Sequence, residues 1–274
     1  MKVARPKRPA WLFTTIAVAA AGILFFVWSG SRRVWSPGDA AGMAFGIAAA
    51  LLVFVQALYP FRRRFAAYPF GTAQRWLQFH IYGGAVGFVF VLVHEGFRAP
   101  AGFLGWALLL LSAWSTATGL AGVWLQKWIP AMISSGLNVL AVFDRIPELV
   151  ETLRSESATL AAGSSEMFER FYSEEIEPAL AGVNTSWDYL LDVQGGRERR
   201  LAPFNRMAPF LAETERERLA GLRAIFNEKL ELDAQYSLLR ILRLWSAVHV
   251  PPAVLFVALI LYHAGVSLYY WRAP

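Results

Sequence analysis

The chain has 274 residues, 56% of them hydrophobic and only 17% charged, with a mean hydropathy of +0.40, a balance more typical of a membrane protein than of a soluble one. Its net charge of +6 is uneven: residues 127–243 hold 14 Lys+Arg against 18 Asp+Glu and the rest holds 12 against 2, which argues for topology signals beside apolar runs and against a nucleic-acid surface. Cysteine is absent, which excludes disulfides, cysteine-held iron–sulfur clusters and covalent c-type haem within the chain.

Five segments are long and apolar enough to span a bilayer. The first, 11–28, follows Lys2, Arg5, Lys7 and Arg8; its apolar run is long for a signal peptide, so it is expected to stay as an anchor. The second, 40–59, is closed by Pro60. The third, 76–97, carries His80 and His94, and the fourth covers 103–126. The fifth, 241–271, carries His249 and His263. Trp11, Trp28, Trp76, Trp124, Trp128, Trp245, Tyr269, Tyr270 and Trp271 lie near span ends, as an aromatic belt would.

Between the fourth and fifth spans lies a polar stretch with helical periodicity. Ile146, Leu149, Val150 and Leu153 share one face, as do Phe168, Phe171 and Tyr172. Residues 184–209, with Gly195, Gly196, Pro203 and Pro209, read as a loop. Helical spacing resumes near Glu213, and no proline interrupts it before Pro251, which predicts one helix running into the fifth span. The expected fold is an all-α membrane protein of five transmembrane helices with a helical soluble insert between the fourth and fifth. Its parts are membrane helices over 1–129, the insert over 130–240 and the last membrane helix over 241–274.

Short-loop charges suggest an orientation. The N-terminal cations and Arg62, Arg63, Arg64 and Arg75 lie on one side; Arg32, Arg33, Arg98 and Arg272 lie on the other. The positive-inside rule then places the N-terminus and the insert in the cytoplasm, and the expected location is a bacterial cytoplasmic membrane.

The four histidines form two pairs of equal spacing: His80 and His94, then His249 and His263, each fourteen residues apart. On a helix that is nearly four turns, so each pair shares a face with roughly 21 Å between its members. Spans three and five run in the same direction, which aligns His80 with His249 and His94 with His263. Two imidazoles, one on each side of a haem plane, make a six-coordinate iron suited to one-electron transfer. A lone membrane histidine more often bridges helices or relays protons; every histidine falling in a matched pair points instead to two non-covalent b haems. Gly105 and Gly119 on the fourth span repeat the fourteen-residue spacing, and glycine lets a flat ring approach the backbone. They serve equally well as small-residue helix packing.

This pattern resembles the haem-binding four-helix core of the cytochrome b/b6 family, over spans two to five. There too, two helices separated by one other each carry a histidine pair at this spacing. The resemblance implies that His80, His94, His249 and His263 are axial iron ligands. It also implies quinone as a redox partner, and further redox subunits, such as a c-type cytochrome or an iron–sulfur protein, in one membrane complex. A Pro-Glu-Trp-Tyr quinol-oxidation motif is absent and the large insert departs from the family. The chain therefore reads as an electron-transfer subunit of a multi-subunit oxidoreductase, not as a complete bifurcating quinol enzyme.

Arg98, just beyond His94, is the best candidate for a haem propionate partner; Arg75, Arg243 and Arg272 are placed comparably. For each of them, interfacial snorkelling is an equally ordinary role. Pro251 and Pro252 after His249 are expected to kink the last span. Two other functional classes stay open: a histidine-based proton or metal transporter, and a structural anchor whose insert recruits a complex.

Overall fold

A computed structural model describes residues 10–61, 72–136, 142–186 and 195–272. The orientation arginines Arg62, Arg63 and Arg64 and the N-terminal Lys2, Arg5, Lys7 and Arg8 lie outside the described residues. The protein is an all-α membrane protein, and among the described residues five helices are long and apolar enough to cross a bilayer. Its helices are α1 Ala10–Gly30, α2 Ala40–Ala57, α3 Ala73–His94, α4 Gly102–Gly136, α5 Ile146–Ala161, α6 Glu166–Phe171, α7 Glu177–Leu180, α8 Gly195–Met207 and α9 Glu213–Arg272. They divide into two compact units: Met1–Val123 with Trp245–Pro274, and Trp124–Leu244.

In the first unit α3 packs closely against α2 and α1. Thr72 caps α3 by accepting from the Arg75 backbone N–H at 3.3 Å. The other end of α3 closes in a Schellman turn, with the Phe97 N–H on the Leu92 carbonyl and the Gly96 N–H on the Val93 carbonyl. Gly96 has φ +67, and a Cβ there would meet the Trp35 ring at 2.8 Å, so this turn requires glycine twice over. Gly22 of α1 lies against the Phe45 and Phe90 rings, which themselves meet edge to face at 5.2 Å.

In the second unit Phe168, Ile176, Leu180, Phe204, Leu222 and Phe226 form the main core, and Ile146, Val150 and Leu153 of α5 pack with Leu232 of α9. Ser165 caps α6, and a π turn over Tyr172–Ile176 joins α6 to α7. The expected loop over 184–209 is corrected here: α8 occupies Gly195–Met207 with Pro203 inside it. Phe204, only 1% exposed in the core beside Phe226, offsets the helix bond that Pro203 removes. Residues 187–194 of that expected loop lie outside the described residues. The helix predicted from Glu213 into the last span is present as the 60-residue α9.

Candidate functional site

α3 supplies His80 and His94, and α9 supplies His249 and His263. All four rings are half-buried within the first unit. The structure brings His80 to His249 with ring centres 6.4 Å apart and planes at 83°. His94 meets His263 at the same 6.4 Å, with planes at 73°. These are the two pairs that parallel spans predict. A metal–imidazole bond is about 2.0 Å and the ring centre lies about 1 Å beyond its nitrogen, so two imidazoles on one metal have centres about 6 Å apart. The observed separations match that reach. Each imidazole pair bridges α3 and α9.

His94 is held by α2. Its Nδ1 lies 2.8 Å from the Gly42 carbonyl oxygen. A carbonyl can only accept, so Nδ1 carries the proton and, in the neutral ring, Nε2 keeps its lone pair. Gly46, one turn on, makes room for the ring: a Cβ there would lie 2.8 Å from His94 Nδ1. Trp35 Nε1 donates to the His94 carbonyl at 3.4 Å. His249 is held by α4. Its Nδ1 lies 2.8 Å from Thr118 Oγ1, and a Cβ on Gly119 would lie 3.7 Å from its Cε1. Trp245 stacks on the His249 ring at 5.5 Å and 15°. Tyr59 of the α2 end stacks on His80 at 4.8 Å and 25°.

Gly119 faces a histidine, whereas Gly105 faces Pro100, its would-be Cβ 2.7 Å from the Pro100 Cβ. The fourteen-residue glycine spacing thus joins two dissimilar environments. Arg98 is exposed just past the turn that ends α3. Arg243 is engaged in the second unit, donating to both Asp144 oxygens at 2.9 and 3.0 Å and lying 3.9 Å over the Phe143 ring.

Gly42, Gly46, Thr118 and Trp245 escape the sequence reading as site residues. Gly42 and Gly46 stand four apart on an apolar span, a small-residue signal that names a close neighbour without naming which one. Trp245 reads as belt aromatic by position, yet its ring faces His249 and its Nε1 donates to the Thr118 carbonyl at 2.8 Å.

Two pairs of imidazoles at metal-bridging distance, cradled by glycines and a hydroxyl, fit two flat metal macrocycles. Among the described residues, Gln56 Nε2 and Ser115 Oγ are buried without a hydrogen-bond partner. Each belongs to a residue one turn from a group that touches His80 or His249, namely Tyr59 and Thr118. Buried polar atoms of this kind ordinarily have partners, and here they flank one of the two pairs. No family model, no curated protein and no solved structure matches this chain.

Proposed function

We propose that this chain is the membrane subunit of a dihaem b-type cytochrome, with one haem between His80 and His249 and the other between His94 and His263. It carries electrons across the bilayer between a quinone pool and partner redox subunits. The observation that supports this reading is repetition: two imidazole pairs, each 6.4 Å between ring centres, on the same two helices. Their members lie about 21 Å apart along each helix, most of a bilayer core. One facing pair has many explanations; two at one separation and one register ask for the same flat group twice.

Haem bound in these positions supplies reversible one-electron chemistry and leaves no coordination position for substrate. The protein's task is to bind and orient. His94 is fixed through Gly42 and seated by Gly46, and His249 is fixed through Thr118. Apolar span residues keep water from the segment between the pairs. With no cysteine in the chain, iron–sulfur or c-type centres belong to other subunits. A lipid-soluble quinone suits a donor or acceptor that reaches a membrane-embedded site. The chain is assigned to a bacterial cytoplasmic membrane, with the N-terminus and the insert on the cytoplasmic side by the arginine distribution. A proton relay fits less well, because it needs hydrogen-bonded steps far shorter than the spacing between pairs.

The test is a pyridine haemochrome assay on the purified full chain. Two b haems per chain are expected. A chain expressed with ample haem that carries none would overturn the reading.

A further inference from the structure

Pro251 and Pro252 follow His249 inside α9. Proline has no N–H, so the carbonyls four residues earlier, those of Ala247 and Val248, lose their helical donors. The Val248 carbonyl has a replacement: Trp114 Nε1 of α4 donates to it at 3.2 Å. One turn along α4, Thr118 meets α9 twice. Its carbonyl accepts from Trp245 Nε1 at 2.8 Å, and its Oγ1 lies 2.8 Å from His249 Nδ1. One further turn along, Gly122 lies under Trp245, and a Cβ there would collide with the indole. A single face of α4, Trp114, Thr118 and Gly122, therefore holds the three α9 residues around the first turn of the last span.

Two arrangements are open at Thr118, and the back-bond that a helical threonine makes to its i−4 carbonyl selects one. Thr118 Oγ1 also lies 2.7 Å from the Trp114 carbonyl, its own helix acceptor one turn back. A hydroxyl has one proton and two lone pairs. With that proton on the Trp114 carbonyl, Oγ1 can only accept from His249, so the His249 proton sits on Nδ1. Trp245 lies nearly parallel to the imidazole, at 15° with ring centres 5.5 Å apart.

We propose that Trp114, Thr118 and Trp245 are positioning residues that lock His249 as the Nδ1–H tautomer with a fixed ring plane, in a helix that its own prolines have loosened. The consequence is that Nε2 is the nitrogen presented to a ligand, and that an α4 hydroxyl tunes its basicity. The inference rests on the dihaem reading for the identity of that ligand, but not for the tautomer.

The experiment uses the full chain in detergent with 15N-labelled histidine, in the haem-free or the reduced diamagnetic state, with His249 assigned through His249→Gln. The wild type is expected to show a protonated Nδ1 and an unprotonated Nε2 at His249. Thr118→Val keeps the shape and removes the acceptor; it is expected to lose about a tenfold tautomer preference, the equivalent of one hydrogen bond. Thr118→Ser is expected to restore it. In the haem-loaded chain, Thr118→Val is expected to shift the reduction potential and low-spin EPR signal of one haem and leave the other unmoved. Should Thr118→Val fail to fold, Trp114→Phe, which keeps a ring and the backbone carbonyl and removes the donor to Val248, is expected to broaden the His249 ring signals through loss of the fixed ring plane while the Nδ1–H tautomer persists. A wild-type His249 protonated on Nε2, a tautomer indifferent to Thr118→Val, or ring signals indifferent to Trp114→Phe, overturns the clamp. A wild type that takes up no haem when expressed with ample haem, but whose His249 tautomer still responds to Thr118→Val, overturns the dihaem reading and leaves the clamp standing.

Discussion

The two units bury polar groups in opposite ways. In the second unit they close on each other: Lys229 and Asp233, each 1% exposed, pair at 2.6 Å, and the second Asp233 oxygen accepts from the Asn184 backbone N–H at 2.9 Å. Burial pushes the Lys229 ammonium below its usual range and the Asp233 carboxyl above its own, and each charge pulls the other back. In the first unit, His94 and His249 engage one ring nitrogen with the protein, while the other has no hydrogen bond among the described residues. A closed network is architecture, because every group it buries is answered from within. A half-closed one, repeated at matched spacing, is what the proposed haem sites require. The two units therefore differ in what removing one partner should do.

The largest effect is expected at the open sites. Replacing His94 by Ala removes one donor of one pair and is expected to eliminate one of the two haems, leaving the His80–His249 haem with its potential unchanged. Haemochrome stoichiometry and a redox titration read this directly. Retention of both haems with unaltered spectra would break the pairing and, with it, the contrast. The near-perpendicular planes, 83° and 73°, sharpen the expectation: crossed imidazoles give a strongly anisotropic low-spin EPR signal at both haems.

A smaller effect is expected in the closed network, with a different signature. Lys229→Met leaves Asp233 buried and uncompensated and is expected to cost about 3–5 kcal/mol. The double variant Lys229→Met with Asp233→Leu is expected to recover most of that, short by about 1 kcal/mol for the acceptor that Asn184 loses. Urea unfolding of the full chain, with hydrogen exchange over 229–235, measures both. Haem content should stay at wild-type level in any fraction that remains folded. A single variant as stable as the wild type would mean that the pair is not closed in the sense argued here.

Much of the architecture was legible in the chain, because apolar length and helical period act locally. The five spans, the long α9 and the His80–His249 and His94–His263 pairings follow from spacing and parallel direction alone. The helix α8 was not legible: Gly195, Gly196 and Pro203 all carry breaker signals, and the compensating burial of Phe204 depends on Phe226 far along the chain. The supports of the histidines were hidden for the same reason. Gly42 meets His94 across 52 residues, and Thr118 meets His249 across 131. A spacing rule finds groups that repeat on one helix; it is blind to a partner whose only signature is where another helix happens to pass.

The smallest effect separates a cradle that the structure shows from one that spacing suggests. Gly46 and Gly119 both lie beside a histidine, but at different clearances. A Cβ at Gly46 falls 2.8 Å from His94 Nδ1, a ring already pinned to the Gly42 carbonyl, so something must move. A Cβ at Gly119 falls 3.7 Å from His249 Cε1, an ordinary contact. Gly46→Ala is therefore expected to cost about 1–3 kcal/mol of local packing and to lower occupancy or shift the potential of the His94–His263 haem alone. Gly119→Ala is expected to leave both haems near wild-type occupancy. Side-by-side redox titrations decide it. If Gly119→Ala proved the more damaging, the room it provides would belong to the haem ring itself and not to the imidazole.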